Sequence, residues 1–157
     1  MIGAGPCGLA ALKNLLQAGL GNVVCYDESS SIGGNWAYSE DPQRISVYEC
    51  SHIISSRRMS SFDDFPMPES YPDYPSHRQL LTYFSDYAKA FNLLPHIRLG
   101  ARVEACSRQD DGRWTVRVTA NGQSSDEVFD WLLVCSGHHR QPFVPDYAGT
   151  FAGTITH

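Results

Sequence analysis

The run Gly3-Ala4-Gly5-Pro6-Cys7-Gly8 decides how the rest of this 157-residue chain can fold. It has the form G-x-G-x-x-G, in which the first glycine takes a sharp strand-to-helix turn and the second leaves room for a pyrophosphate. The third, Gly8, lets the following helix pack close to a sheet. The N–H groups and the positive dipole end of that helix would then face the phosphates. Alone the run is a weak signal, because a tight glycine turn can form without a ligand.

The residues that follow the run strengthen the prediction of a dinucleotide site. Apolar residues recur at the helical spacing of one buried face. These residues are Leu9, Leu12, Leu15 and Leu16. The next apolar run, 23–26, is short and β-prone, as a buried parallel strand should be. It ends at Asp27, 19 residues after Gly8, near the spacing at which a carboxylate reaches a ribose 2′-OH.

The chain before the glycine run is unusually short. A dinucleotide fold needs a strand of about five residues there, yet only Met1 and Ile2 precede Gly3. We therefore expect the central strand of the sheet to be nearly absent. We also expect the chain to be a fragment, or to have its true start upstream.

Composition describes an ordinary globular protein of one domain, with 42% apolar and 18% charged residues. A net charge of −5 without a basic run gives no indication of nucleic-acid binding. No apolar stretch of about 18 residues predicts a transmembrane segment. The five scattered cysteines predict reduced thiols and a cytoplasmic location. The six histidines lack zinc-site spacing, so we predict no metal site.

The middle of the chain predicts irregular structure followed by one helix. Residues 44–58 mix apolar and polar positions and are expected to form extended pieces, and the proline-rich segment 62–75 should form an irregular loop. Ser76-His77-Arg78-Gln79 has the form of a capping box. It predicts a helix that ends near Asn92, with His77 and Arg78 facing solvent.

The hydrophobic period then changes to that of strands. Residues 102–106, 114–119 and 127–134 are predicted strands, separated by the turn signals 109–112 and Asn121-Gly122. Short strands with tight turns predict a three-stranded antiparallel meander. Residues 130–137 are predicted to form a buried strand that ends in the small-residue turn Ser136-Gly137.

Several segments together resemble one family. Residues 3–36, ending in Gly33-Gly34-Asn35-Trp36, resemble the opening of the flavin-containing monooxygenases and the related Baeyer–Villiger monooxygenases. Further resemblance lies in residues 62–75, in Cys135-Ser136-Gly137-His138-His139 with Pro142 and Pro145, and in residues 151–157, which fit F-x-G-x-x-x-H. The resemblance spans the whole chain, but only the first FAD-binding segment of a longer family member.

The resemblance implies a Rossmann-like α/β FAD-binding domain of the glutathione-reductase type, truncated at both ends. Its parallel sheet would carry the three-stranded meander. Residues 1–150 would form part of this domain, and 151–157 would begin the linker to an NADP-binding domain. The implied cofactors are FAD and NADPH. The residues expected to contact the cofactor are Gly3, Gly5, Pro6, Cys7, Gly8, Asp27, Glu28, Gly34, Asn35, Trp36, Ser55, Val103, Ser136 and Gly137.

The resemblance also implies a reaction. NADPH reduces the flavin, O2 reacts with it, and a C4a-hydroperoxyflavin transfers one oxygen to a small nitrogen or sulfur nucleophile. The family asparagine that supports this step falls at Ile54, which has no hydrogen-bond donor, and Ser55 is a possible substitute. The catalytic residue and the oligomeric state stay open, and this chain alone is expected not to turn over.

Two alternatives remain. One is a Baeyer–Villiger monooxygenase or another FAD- and NADPH-dependent oxidoreductase. The other is a non-catalytic, truncated fragment that binds a nucleotide.

Overall fold

The computed structural model describes residues 1–41, 44–138 and 143–155. Its helices are α1 (Pro6–Gln17), α2 (Arg57–Ser60) and α3 (His77–Ala90). Its strands are β1 (Cys25–Asp27), β2 (Ile97–Leu99), β3 (Ala101–Arg108), β4 (Trp114–Ala120) and β5 (Gln123–Phe129). Single-turn 3₁₀ helices lie at Gly34–Trp36 and Leu94–His96. This mixed α/β architecture confirms the predicted fold class.

Helix α1 forms where the glycine run predicts it. Pro6 occupies its first turn, where a missing N–H costs no hydrogen bond. The helix buries Leu9 and Leu12 completely. Shortly after the helix ends, Gly19 adopts a positive φ of 87°, as expected of a helix stop.

The parallel layer is built around the first two residues of the chain. Strands β1 and β2 pair in parallel, with Cys25 opposite Ile97. On the other side of β1, Ile2 forms parallel bridges to both Tyr26 and Val134. Ile2 donates its N–H to the carbonyl of Leu133 at 2.9 Å. The central strand is thus reduced to a short remnant, as predicted. Strand β2 was not predicted from the sequence.

The second layer is the predicted meander, with β4 between β3 and β5. The predicted third strand at 127–134 is wrong in its bounds, because β5 starts at Gln123, which pairs with Ala120. Asn121 and Gly122 both have positive φ and form a two-residue hairpin turn. Such a turn lets pairing begin directly on either side of it.

The prediction of a buried strand at 130–137 is also wrong. Val134 forms only an isolated bridge to Ile2, and Trp131 is 90% exposed. Leu133 and Val134 are exposed as well. Ile2 is the only bridge partner of this segment among the described residues, so little of its apolar surface is covered.

Residues 44–58 differ from the predicted extended pieces. Their only β pairing among the described residues is one bridge from His52 to Ser76. Residues 57–60 turn instead into the short helix α2. Ser56 caps α2 by accepting a hydrogen bond from the N–H of Met59. Ser, Asp and Asn at such positions favour a helix start, and the mixed pattern concealed this signal.

Helix α3 begins with the capping box that the sequence predicts. The Ser76 hydroxyl accepts from the N–H of Gln79, and the Gln79 side chain accepts from the N–H of Ser76. Arg78 is exposed, as predicted. His77 is buried, which contradicts the prediction, because its Nε2 lies 3.0 Å from the carbonyl oxygen of Glu49 and its ring packs on Tyr38.

The proline-rich segment 62–75 is irregular, as predicted, and packs its aromatic rings on α3. Phe62 and Phe65 contact the rings of Tyr83 and Tyr87. The Phe62 N–H donates to the Tyr83 hydroxyl at 2.8 Å. Tyr83 and Tyr87 belong to the larger hydrophobic core, and Phe62 and Phe65 pack against it.

One buried charge joins this segment to helix α1. Lys13 is buried, and its ammonium forms an ion pair with Asp64. The same ammonium lies 5.5 Å from the centre of the Phe91 ring. A buried ammonium needs such partners, because an unpaired one would be strongly destabilising.

Candidate dinucleotide-binding site

The first glycine turn is closed so tightly that side chains do not fit. Gly3 has φ +98°, and a Cβ there would lie 2.4 Å from the Cys135 carbonyl oxygen. A Cβ on Gly8 would lie 1.9 Å from the carbonyl oxygen of Gly3. The structure therefore agrees with the turn and close-packing roles predicted for Gly3 and Gly8.

The second glycine segment lies directly against this turn. A Cβ on Gly34, which has φ +57°, would lie 3.1 Å from the Cα of Gly5. The N–H of Gly33 also donates to the Ala4 carbonyl at 3.0 Å. Gly5 is the N-cap of α1 and supplies no side-chain acceptor to the first helical N–H groups. Those groups suit an anion placed at the helix tip.

The carboxylate of Asp27 is tied to the same turn. Its Oδ2 accepts the N–H of Ala4 at 2.7 Å, and its Oδ1 accepts the N–H of Ser29 at 2.8 Å. A carboxylate oxygen can accept two hydrogen bonds, so each keeps capacity for a ligand hydroxyl. Asp27 therefore holds the turn in place as well as standing where a ribose is expected.

A cleft of about 810 Å³ opens beside the turn. This volume lies within the usual range for small-molecule sites. It is lined by seven of the residues predicted to contact the cofactor. These residues are Gly3, Asp27, Glu28, Gly34, Asn35, Val103 and Ser136. The structure thus brings residues from four distant segments to one cavity.

A second cleft, of about 430 Å³, receives four other predicted residues, Pro6, Trp36, Ile54 and Ser55. Ile54 is 99% exposed and offers no polar atom from its side chain. The Ser55 hydroxyl lies 2.6 Å from that of Ser60, in a hydrogen bond that either group could donate. The apolar rings of Phe62 and Phe84 also line this cleft.

The remaining predicted contacts line neither cleft. Gly5 and Gly8 shape the helix tip, and Cys7 is exposed there. Gly137 follows Ser136 with φ +81°. His139, Pro142, Thr156 and His157, named in the family resemblance, lie outside the described residues. The assignment of individual residues to FAD stays a prediction.

Sequence reasoning missed several residues of the larger cleft. These are Ile2, Tyr26, Ser29, Ser30, Asp41, Arg44, Ile45, Ala101, Arg102 and His138. Four of them lie close in sequence to Asp27 or Val103, which were predicted to contact the cofactor, so these neighbours already indicated their position. The four are Ser29, Ser30, Ala101 and Arg102. Arg44 carried no such signal, because its segment has no motif. Arg102 is held by carboxylates, with its Nε 3.4 Å from Glu104 and 3.8 Å from Glu28.

Burial near the turn keeps several groups neutral. Desolvation raises the pKa of Cys25 to about 11, and its Sγ lies 3.4 Å from the Gly3 carbonyl oxygen. Burial, together with a hydrogen bond to Glu127, raises the pKa of Tyr26. Burial also raises the pKa of Cys135. None of these groups is prepared to act as a nucleophile at neutral pH.

No cluster of histidine, cysteine or acidic side chains within the described ranges could hold a metal ion. Within the same ranges, no helix is long and apolar enough to cross a bilayer.

Comparison with known proteins identifies similar sequences. The sequence model of the family described as flavin-binding monooxygenase-like matches residues 1–156. Flavin-containing monooxygenase 5 of Rattus norvegicus is 40% identical over 151 residues, and its human counterpart is 37% identical. Dimethylaniline monooxygenase [N-oxide-forming] 2 of Rattus norvegicus is 40% identical. Each alignment covers 92% of this chain and 28% of the relative, so the chain spans under a third of their length.

Solved structures share the fold. S-allyl-L-cysteine S-oxygenase from Allium sativum superposes with a TM-score of 0.83 at 26% identity, covering 92% of this chain and 37% of that one. Tmm from a Pelagibacter strain superposes with a TM-score of 0.80 at 27% identity, covering 94% of this chain and 38% of that one. An NADP-bound steroid monooxygenase superposes with a TM-score of 0.73 at 24% identity, covering 87% of this chain and 25% of that one. This last similarity is one of fold.

Proposed function

The chain belongs to the flavin-binding monooxygenase-like family, which confirms the resemblance seen in its sequence, and we propose that it forms the FAD-binding part of an NADPH-dependent monooxygenase. Proteins of this family use FAD and NADPH, so the cofactor prediction is confirmed at the level of the family. Because the chain spans 28% of its curated relatives, the activity proposed here is that of the whole protein.

The observation that carries the proposal is the meeting of two glycine segments and one carboxylate at the tip of α1. Gly5 and Gly34 leave a cradle that side chains would fill, and no side chain caps the helix. Asp27 stands at the end of the neighbouring strand, bonded to the N–H of Ala4. These residues fit the adenine dinucleotide half of FAD, with the diphosphate over the helix tip and the ribose beside Asp27.

We assign residues 1–150 to this FAD-binding unit and 151–157 to the start of a linker. When bound, FAD reduced by NADPH supplies the activation of O2. The chain's own part is to hold the dinucleotide, orient it and limit water around it. The substrate proposed for the whole protein is a small nitrogen or sulfur nucleophile. Similarity to the N-oxide-forming relative and to the garlic S-oxygenase supports this substrate class.

FAD binding is tested on the purified chain by flavin absorbance and by titration of FAD fluorescence. We expect binding by the natural chain and loss of binding by Gly5→Val. A Cβ at Gly5 would make only an ordinary contact of 3.5 Å with Gly34, so folding should survive while the larger side chain fills the cradle. Gly21→Val is the matched control, because nothing lies within 4 Å of a Cβ there. A colourless chain that binds no FAD, or a Gly5→Val variant that binds normally, would overturn the assignment.

Ile54 favours a second candidate, an FAD- and NADPH-dependent oxidoreductase that transfers no oxygen to substrate. Its exposed side chain cannot donate a hydrogen bond in the smaller cleft. The two candidates separate in a longer chain that includes the NADPH site, by comparing oxygenated product formed with NADPH consumed. An amount of oxygenated product equal to the NADPH consumed supports the monooxygenase. Hydrogen peroxide formed in place of that product supports the oxidoreductase. Ile54→Asn should raise the product fraction if this position supports oxygen transfer.

A further inference from the structure

One guanidinium nitrogen of an arginine in the larger cleft lacks the hydrogen-bond acceptor that such a group normally has. Nη2 of Arg44 is buried, and it donates no hydrogen bond to any of the described residues. Arg44 also lines the cleft that holds Asp27 and Gly34. Its backbone N–H donates to the Asp41 carbonyl at 3.0 Å. The Arg44 side chain therefore lines the cleft with one buried nitrogen that has no acceptor among the described residues.

Such an arrangement is energetically unfavourable. Arginine stays charged at all ordinary pH values, and a buried N–H without an acceptor loses its hydration without replacement. The other arginine of this cleft shows the usual solution, since Arg102 lies near the carboxylates of Glu28 and Glu104. Arg44 has a donor ready for an anionic acceptor that a ligand could bring.

We propose that Arg44 binds a phosphate oxygen of the dinucleotide. This inference rests on the proposed function, because it requires an adenine dinucleotide in the cleft. The N–H of Val47 donates to the Asn35 carbonyl at 2.8 Å, which joins the segment after Arg44 to the second glycine loop. That loop contacts Gly5 at the tip of α1, where the diphosphate is expected. A planar guanidinium matches phosphate oxygens better than it matches a neutral ribose or base.

The test compares the natural chain with Arg44→Met and Arg44→Lys in two measurements. FAD titration should show the affinity of Arg44→Met reduced by about tenfold or more, as for a lost charge-assisted hydrogen bond. The FAD affinity of Arg44→Lys should lie between those of the natural chain and Arg44→Met, because lysine keeps the positive charge but lacks the planar pair of guanidinium donors. Thermal unfolding without FAD should show Arg44→Met at least as stable as the natural chain, since the variant removes an unsatisfied buried group.

Further measurements separate a phosphate contact from other roles. The affinity of the natural chain should fall more steeply with added salt than that of Arg44→Met. ADP should bind Arg44→Met more weakly than it binds the natural chain, whereas adenosine should bind both equally. An equal loss of affinity for ADP and adenosine would indicate a contact with the base or ribose and overturn the assignment. Arg108→Met, which changes an exposed arginine on β3, is the control and should bind FAD normally.

The two levels of the proposal fail differently. If the natural chain binds no FAD, the proposed function fails and this inference with it. If it binds FAD and Arg44→Met binds equally well, only the inference fails. A variant that loses thermal stability and affinity together, with no change in salt dependence, would show a structural role and also overturn it.

Discussion

Asp27→Ala should destabilise the protein even when no cofactor is present. The substitution removes the acceptor of two backbone N–H groups, those of Ala4 and Ser29. Ala4 is 0% exposed, so its N–H is left without water or partner, at a cost of about 1–3 kcal/mol. Ser29 is half-buried and water can replace its bond, at a cost of about 0.5–1.5 kcal/mol. We therefore expect the free energy of unfolding to fall by about 1.5–4.5 kcal/mol.

The assay is urea unfolding without FAD, followed by FAD titration of the folded fraction. Asp27→Asn keeps the shape but only one acceptor oxygen, so it should lose roughly half as much stability. Asp63→Ala, at an exposed carboxylate, is the control and should stay within about 0.5 kcal/mol of the natural chain. FAD affinity should fall separately by about 1–3 kcal/mol. An Asp27→Ala variant as stable as the control would refute the role of Asp27 in holding the turn.

Three other substitutions test the surroundings of the turn. Gly8→Ala should prevent native folding, because its Cβ would meet the Gly3 carbonyl oxygen at 1.9 Å. Gly21→Ala is the control, because nothing lies within 4 Å of a Cβ there, and its unfolding followed by circular dichroism should match that of the natural chain. Burial raises the pKa of Cys25 from its ordinary value of 9.0 to about 11, so between these two pH values the thiol ionises in the unfolded state and not in the folded one. Stability should therefore fall as pH rises through that window. At about 1.4 kcal/mol per pKa unit the loss approaches 3 kcal/mol, and Cys25→Val should flatten this part of the pH profile. Ser76→Ala should cost about 1 kcal/mol in urea unfolding by removing the cap of α3, with no effect on FAD affinity.

The elements that the sequence predicted well are those specified by local chemistry. The glycine run required a turn and a helix, and the capping box at Ser76 fixed the start of α3. Asn121-Gly122 marked a hairpin, although its two-residue geometry placed β5 earlier than the apolar pattern suggested. In each case, the controlling contacts lie within a few residues.

The features that the sequence did not predict depend on distant partners. His77 is buried because the carbonyl of Glu49 and the ring of Tyr38 meet it, and neither is near it in sequence. Residues 130–137 have an apolar strand pattern, but Ile2 gives them too short a neighbour to form a buried strand. Arg44 reached the cleft from a segment without any motif. For the candidate site, motifs located the glycine turn and Asp27, while the rest of the lining required the fold.

The ion pair between Lys13 and Asp64 makes two parts of the chain interdependent. The tip of helix α1 faces the expected phosphates, while Asp64 belongs to the proline-rich segment that pairs with Lys13 of the same helix. Exchanging the proline-rich segment alone for one with a neutral residue at position 64 would leave the buried Lys13 ammonium without its ion-pair partner. Transplants between family members should therefore tolerate joint replacement of both parts better than replacement of one.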